Sequence, residues 1–207
     1  VGLFRSFKKE PTSNNSTTYL LVGLGNPGRE YRYSRHNFGF MAIEQMADEL
    51  NIRMSRMQSK AIIGVGSIGE ARVVLARPQT FMNLSGQSVS GLLRFYKVPL
   101  ERMLVIHDDI DLPFGTLRLR PEGGSGGQRG LASVIQQLGT QSFPRMRLGV
   151  GRPPGRMQPS DYVLQAFSPG EQEMIKIVLG RAAEAARTFV LEGLEKAMNH
   201  YNGAVEA

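Results

Sequence analysis

The stretch Tyr19 to Phe40, YLLVGLGNPGREYRYSRHNFGF, sets the terms for the rest of the chain. Tyr19-Leu20-Leu21-Val22 is short, apolar and partly aromatic or β-branched, the composition of a buried strand. It breaks at once into Gly23-Leu24-Gly25-Asn26-Pro27-Gly28, which matches the dinucleotide fingerprint G-x-G-x-x-G. That fingerprint works only when a helix opens inside it and turns its first N–H groups towards a pyrophosphate. Pro27 biases Asn26 away from the helical region, and Arg29 to Arg35 carry no apolar helical stripe. Glu44 and Asp48, where the acidic residue of the fingerprint belongs, fall inside a helical pattern instead of closing a second strand. The glycines are therefore read as a turn. The strand ends in Asn-Pro-Gly, the Asn26 amide stands at a pocket rim, and a polar loop brings back His36-Asn37. An imidazole ordinarily titrates near neutrality, which makes His36 a candidate general base.

Composition narrows the classes. With 207 residues, 41% of them hydrophobic, the chain can bury one continuous interior and is read as one domain. Its apolar runs fall far short of the roughly 18 residues a membrane helix needs, so no membrane partner is expected. There is no cysteine, which removes disulfides, thiolate catalysis and Cys-based zinc sites and fits a reducing compartment. Twenty-five Lys and Arg against eighteen Asp and Glu leave a charge of +7, which favours a polyanionic partner. The arginines crowd Arg118 to Arg129 and Arg145 to Arg156. Aromatic residues do not recur as a stacking platform, which argues against a general single-strand-binding module. Residues 1–18 are polar after Leu3, Phe4 and Phe7 and are expected to form a flexible tail ahead of a domain over 19–207. They lack the apolar region of a secretory signal and are compatible with the remnant of an organellar transit peptide.

Further along, Ile43, Met46, Ala47 and Leu50 repeat at helical spacing, which puts His36 just ahead of a helix start. Ala61 to Ile68 and Arg72 to Ala76 read as strands joined in a hairpin at Gly69-Glu70. A loop then exposes Phe81 and Met82 before a helix through Val89, Leu92, Leu93 and Tyr96, which stops at Pro99. Met103 to Ile106 is a buried strand that runs into His107-Asp108-Asp109-Ile110-Asp111, where α/β proteins place their chemistry. A metal is disfavoured here, because there is no second histidine cluster and the His-Asp pair ends a strand.

Thr116 to Arg120 alternates as a half-exposed strand, and Gly123 to Gly130 precedes a helix with Leu131, Val134, Ile135 and Leu138 on one face. Gly123 to Gly127 also fits the nucleophile elbow G-x-S-x-G, which needs an apolar strand before it. TLRLRPE is charged, and only His200 follows Ser125, so the glycines are read as N–H groups placed for phosphate beside Arg118, Arg120 and Arg129. Arg145 to Val150 is a further strand, and Gly151 to Ser160 is too rich in Pro and Gly for an element and suits a mobile flap. Ser168-Pro169-Gly170-Glu171 is a capping box that opens a packing helix through Met174, Val178, Ala182, Ala185 and Phe189.

GLGNPGREYRYSRHNFGF, RPQTFMNLSGQSV, HDDIDLPFGTLRLR and RLGVGRPPG, in this order and separation, resemble the bacterial-type peptidyl-tRNA hydrolase family from Tyr19 to about Asn202. The resemblance implies a single α/β domain, a twisted mixed sheet surrounded by helices, acting without cofactor or metal. It implies hydrolysis of the ester joining a peptide to the 3′ end of tRNA, with peptidyl-tRNA as partner and a monomer as the working unit. His36 matches the family's catalytic histidine, Asp108 the aspartate that holds it in its basic form, and Asn26 the asparagine that distinguishes blocked from free aminoacyl-tRNA. Asn83 matches a substrate-positioning asparagine, with Tyr31 and Phe81 lining the same pocket. Arg120 and Arg147 match basic residues that grip tRNA phosphate.

One motif departs from the pattern. Where family members read Gly-His-Asn-Gly, this chain reads Gly127-Gln128-Arg129-Gly130, so Arg129 stands in place of the pocket asparagine. An arginine donates hydrogen bonds and contacts phosphate, so Arg129 is kept as a substrate-binding residue. Plant plastid relatives that serve as RNA-splicing factors supply the competing expectation, a catalytically weak RNA-binding adaptor. The compartment expected is the bacterial cytoplasm or, in a eukaryote, an organellar stroma or matrix.

Overall fold

The computed structural model describes residues 17–205; the expected tail therefore lies, for residues 1–16, outside the described residues. Strand β1 (Thr18–Gly23) begins one residue before the domain start expected from the sequence, and helix α1 (Phe38–Glu49) follows it. Strands β2 (Arg56–Gln58), β3 (Ala61–Ile68) and β4 (Ala71–Pro78) lead to α2 (Ser85–Tyr96). Next come β5 (Met103–Asp109), β6 (Thr116–Arg120), α3 (Arg129–Leu138) and β7 (Arg145–Gly149). Helices α4 (Pro159–Leu164), α5 (Gln172–Glu192) and α6 (Leu194–Tyr201) precede a last short strand, β8 (Gly203–Ala204).

The eight strands among the described residues form one mixed sheet in the order β2-β3-β4-β1-β5-β7-β6-β8, a single α/β domain. The centre is parallel: β1 pairs with β4 and β5, and β5 with β7. Antiparallel strands close both sides, including the β3–β4 hairpin. Alternation along the strands sorts side chains into two cores. Leu20, Val22, Met103 and Val105 pack towards α2 and α3, whereas Leu21, Leu104 and Ile106 pack towards α1, α5 and α6. All seven residues of β5 are buried, as a strand covered on both faces requires.

Connectivity places the site. The chain leaves β1 towards β4 and leaves β5 towards β7, which opens a crevice between their C-terminal ends. At that point α1 presses onto the sheet through bare backbone: a methyl at Gly39 would overlap the Ile106 carbonyl oxygen and come within 2.6 Å of Leu24 N. No side chain larger than hydrogen fits, and this close approach lets the residues just before α1 reach the end of β5. Helix α2 ends at Tyr96 through Lys97 in the left-handed region (φ 52°), two residues ahead of Pro99. Among the described residues no helix is long and apolar enough to cross a membrane.

Candidate active site

A cavity of about 570 Å³ lies over the β1–β5 crevice. His36 stands at its floor, on a short 3-10 turn (Arg35–Asn37) that runs directly into α1. Its Nδ1 is 2.8 Å from Oδ2 of Asp108, the penultimate residue of β5. With the carboxylate accepting from Nδ1–H, Nε2 carries the lone pair. Burial by itself would raise the Asp108 carboxyl, but the charge and hydrogen bond of His36, with the Gln128 amide, outweigh it and hold the group below the ordinary carboxylate range.

Asn26 sits beside this pair and is buried by its own neighbours. Its backbone N–H donates to Asn37 Oδ1 at 2.8 Å, and Asn37 Nδ2 donates back to its carbonyl at 3.0 Å. The side chain is oriented as well, because the Met82 N–H donates to Asn26 Oδ1 at 2.8 Å. Asn26 Nδ2 is thereby left as the donor on the cavity side. Tyr31 from the turn after Gly28, Phe81 and Asn83 from the turn before α2, and Arg129 from the start of α3 line the same cavity. Phe81 is exposed at the mouth, but Met82, expected to be exposed with it, is buried and packs against Gly130 and Gln128.

Arg120 and Arg147 do not reach the cavity. They lie on the β6–β7 strip, where Arg118 stands opposite Arg147 and Arg120 opposite Arg145. Arg120 is exposed, whereas Arg147 donates from Nε to Asp109 Oδ2 at 2.6 Å. Arg145, its neighbour in the arginine cluster, is a structural residue: its guanidinium is buried against the carbonyls of Gly123, Gln141 and Phe143, and burial lowers its pKa to about 10. The glycine loop is also less open to phosphate than expected, since Gln128 Oε1 takes the Leu131 N–H and the Gln128 carbonyl takes that of Ala132.

The opposite wall begins where the segment read as an elementless flap, Gly151 to Ser160, ends: residues 151–158 hold no helix or strand, and a short helix, α4, takes over with Pro159 at its first position. Pro159, Ser160, Val163 and Leu164 line the cavity. Two backbone bonds tie the end of this wall to the histidine loop: Arg35 N–H to the Gln165 carbonyl at 3.0 Å and Phe167 N–H to the Tyr33 carbonyl at 3.3 Å. The Arg35 side chain locks the junction, donating to the Ala166 carbonyl and to both oxygens of Glu171, with its guanidinium over the rings of Tyr162 and Phe167. Glu171 belongs to the expected capping box, which is present with Ser168.

Residues that the sequence left unmarked complete the site. Gln128 donates from Nε2 to Asp108 Oδ1 at 3.0 Å, Met82 orients Asn26 through its backbone, and Asn37 braces the turn. Gln128 is an uncommon helix cap, and a backbone donor leaves no trace in side-chain pattern. Asn37, adjacent to His36, was the one detectable from its position. Among the described residues no three His, Asp or Glu side chains converge as a metal set, and Asp109 and Asp111 are bonded to Arg147 and Arg152.

Comparison with known proteins bears on the chain as a whole. The sequence model of the peptidyl-tRNA hydrolase family matches residues 20–207. A mitochondrial peptidyl-tRNA hydrolase of Oryza sativa is 49% identical over 187 residues, 90% of this chain and 75% of that protein. A chloroplastic group IIB intron splicing facilitator of Arabidopsis thaliana is 46% identical over 187 residues, 90% of this chain and 78% of that one. The crystal structure of a peptidyl-tRNA hydrolase from Acinetobacter baumannii superposes with a TM-score of 0.86 at 36% identity, covering 93% of this chain and 98% of the other. With the family's sequence pattern running from β1 to the C-terminus and its fold reproduced around the crevice, the chain belongs to the peptidyl-tRNA hydrolase family.

Proposed function

We propose that this chain hydrolyses the ester joining a peptide, or an N-blocked amino acid, to the 3′ end of tRNA. The observation that carries the reading is the 2.8 Å contact of His36 Nδ1 with Asp108 at the floor of a 570 Å³ cavity. His36 Nε2 takes a proton from water, the hydroxide attacks the ester carbonyl, and Asp108 stabilises the imidazolium that results. Asn26 Nδ2 donates to the oxygen on which negative charge develops, and Asn83 positions the substrate beside it. The ribose oxygen leaves with the proton returned by His36. Tyr31 and Phe81 contact the acyl end and Arg129 the nucleotide end, with Arg120 and Arg147 meeting phosphates further along. Every group named lies on one chain, so a single copy suffices, and the reaction belongs in a translating compartment, the bacterial cytoplasm or an organellar stroma or matrix.

The test is hydrolysis of an N-acetylated aminoacyl-tRNA by the wild type, His36→Ala and Asp108→Asn. Each variant is expected to lose about 10²–10⁴ in kcat while remaining folded. Wild-type turnover in either would remove the dyad. The second reading, an RNA-binding adaptor without turnover, draws on the likeness to the splicing facilitator and on Arg129. It predicts an inactive parent in which Arg129→Asn switches hydrolysis on, whereas the hydrolase reading predicts an active parent in which Arg129→Asn preserves activity.

A further inference from the structure

We propose that Gln128 is a positioning residue for hydrolysis, a fixed donor that aims the Asp108 carboxylate at His36. The inference rests on the His36–Asp108 dyad proposed above. Asp108 is buried and has two oxygens to satisfy: Oδ2 faces His36, and Oδ1 accepts from Gln128 Nε2 at 3.0 Å. With both oxygens held, the carboxylate cannot rotate about its last bond, so its lone pairs keep their direction towards the imidazole.

What makes Gln128 a fixed donor is the other half of its amide. Oε1 accepts the Leu131 N–H at 2.6 Å, capping the first turn of α3, and the remaining Nε2 hydrogen points to Met82 Sδ at 3.3 Å. Turning the amide over would set its oxygen against the Asp108 carboxylate and its N–H groups against a helix N–H, losing both bonds at once. Because Gln128 is itself buried, water cannot replace them. The start of α3 therefore dictates which way the NH2 group faces, and the amide does not titrate, so this support is the same on both sides of neutrality. The charged and titratable groups around Asp108 are His36 across the crevice, His107 and Asp109 on its own strand, and Arg147 bonded to Asp109; variants at 128 leave all of them in place.

Gln128→Glu separates the positioning role from capping. A glutamate keeps an oxygen for the Leu131 N–H at a helix N-terminus that favours negative charge, so the fold should hold. Its other oxygen faces Asp108 as a second carboxylate, and the pair must share a proton or repel. The kcat/KM against pH profile on N-acetylated aminoacyl-tRNA should show its acid limb displaced upwards, on the order of one unit, with kcat reduced at least tenfold at neutral pH and the melting temperature close to wild type. Gln128→Ala should displace the same limb in the same direction by less. A Gln128→Glu profile that superimposes on wild type would overturn the proposal, as would a Gln128→Ala loss matched by unfolding with an unmoved limb. His36→Ala, run in parallel, keeps the two readings apart: if it retains activity the dyad itself falls, and if it is inactive while Gln128→Glu is unaffected, only the role of Gln128 falls.

Discussion

The side-chain oxygen of Asn26 accepts the backbone N–H of Met82 at 2.8 Å, and this one bond decides which half of the amide meets a substrate. An asparagine amide can accept from a peptide N–H through its oxygen or donate to an oxyanion through its nitrogen. With Oδ1 engaged, the NH2 group is the half on the cavity side.

Asn26→Asp keeps an acceptor for Met82 but replaces the donor with a negatively charged oxygen. The expected result is a fall of about 10²-fold in kcat on N-acetylated aminoacyl-tRNA, the scale of a lost oxyanion donor. It should also bring a smaller preference for the blocked substrate over the free one, since a carboxylate attracts an ammonium. Steady-state rates on the two substrates check both.

Arg120 and Arg147 should separate in a salt titration. Arg120 is exposed, so Arg120→Ala is expected to lower the magnitude of the log K against log salt slope for tRNA by about one, with kcat at saturation unchanged. Arg147→Ala should lower the slope similarly and also reduce kcat, because it strands the Asp109 carboxylate one residue from Asp108. Binding isotherms from low to high salt, with single-turnover rates alongside, distinguish them.

His107 imposes a pH dependence on stability. Burial pushes its pKa below the ordinary value of 6.5; Nδ1 lies 2.7 Å from the Asp108 carbonyl oxygen and Nε2 has no partner among the described residues. Below that ordinary value the unfolded chain binds a proton that the folded chain refuses, so stability falls as pH drops and recovers as pH rises, by at most about 1.4 kcal/mol per pH unit. His107→Asn, which retains a donor near Nδ1, is expected to flatten the slope of unfolding free energy between neutral and mildly acidic pH in urea titrations.

Removing the guanidinium that bolts the histidine loop to α4 tests how far His36 depends on the opposite wall. Arg35→Met should cost about 2–3 kcal/mol through its charge-assisted bonds and reduce kcat without abolishing it. The Glu171 side of the contact is robust to acid. Burial disfavours its charge, but bonds to the Ser168 backbone and hydroxyl and the Arg35 charge prevail, so its pKa lies below 4.5. Its contribution is complete above 4.5 and is lost only as pH falls through that lower value. Urea midpoints of Arg35→Met at neutral pH, read with turnover, give both effects.

The strongly patterned parts of the chain were legible in advance. The β3–β4 hairpin, the helix after His36 and the β5 strand ending in Asp108 follow from periodicities that burial on a sheet enforces. The motifs also brought His36, Asp108, Asn26, Tyr31, Phe81, Asn83 and Arg129 together, and all of them line one cavity. What stayed hidden was made by contacts between distant segments. Met82 looked like loop surface until Gly130, bare of side chain, came close enough to bury it. Arg145 and Arg147 looked alike, two residues apart on one strand; one is spent on backbone carbonyls and the other on Asp109. Helix α4 is six residues long and has a proline at its start, too short to show a period.

The pairing of Tyr33–Arg35 with Gln165–Phe167 has a consequence for synthesis on the ribosome. His36 and Asp108 are made early, but the wall that encloses them, and the acid that clamps Arg35, are not translated until residue 171. The contact joins positions more than 130 residues apart, the kind of closure that forms late in folding. Between the synthesis of Asp108 and that of Glu171 a growing chain thus holds both His36 and Asp108 without the wall that encloses them. The order of synthesis therefore supplies the two partners first and closes the cavity around them afterwards.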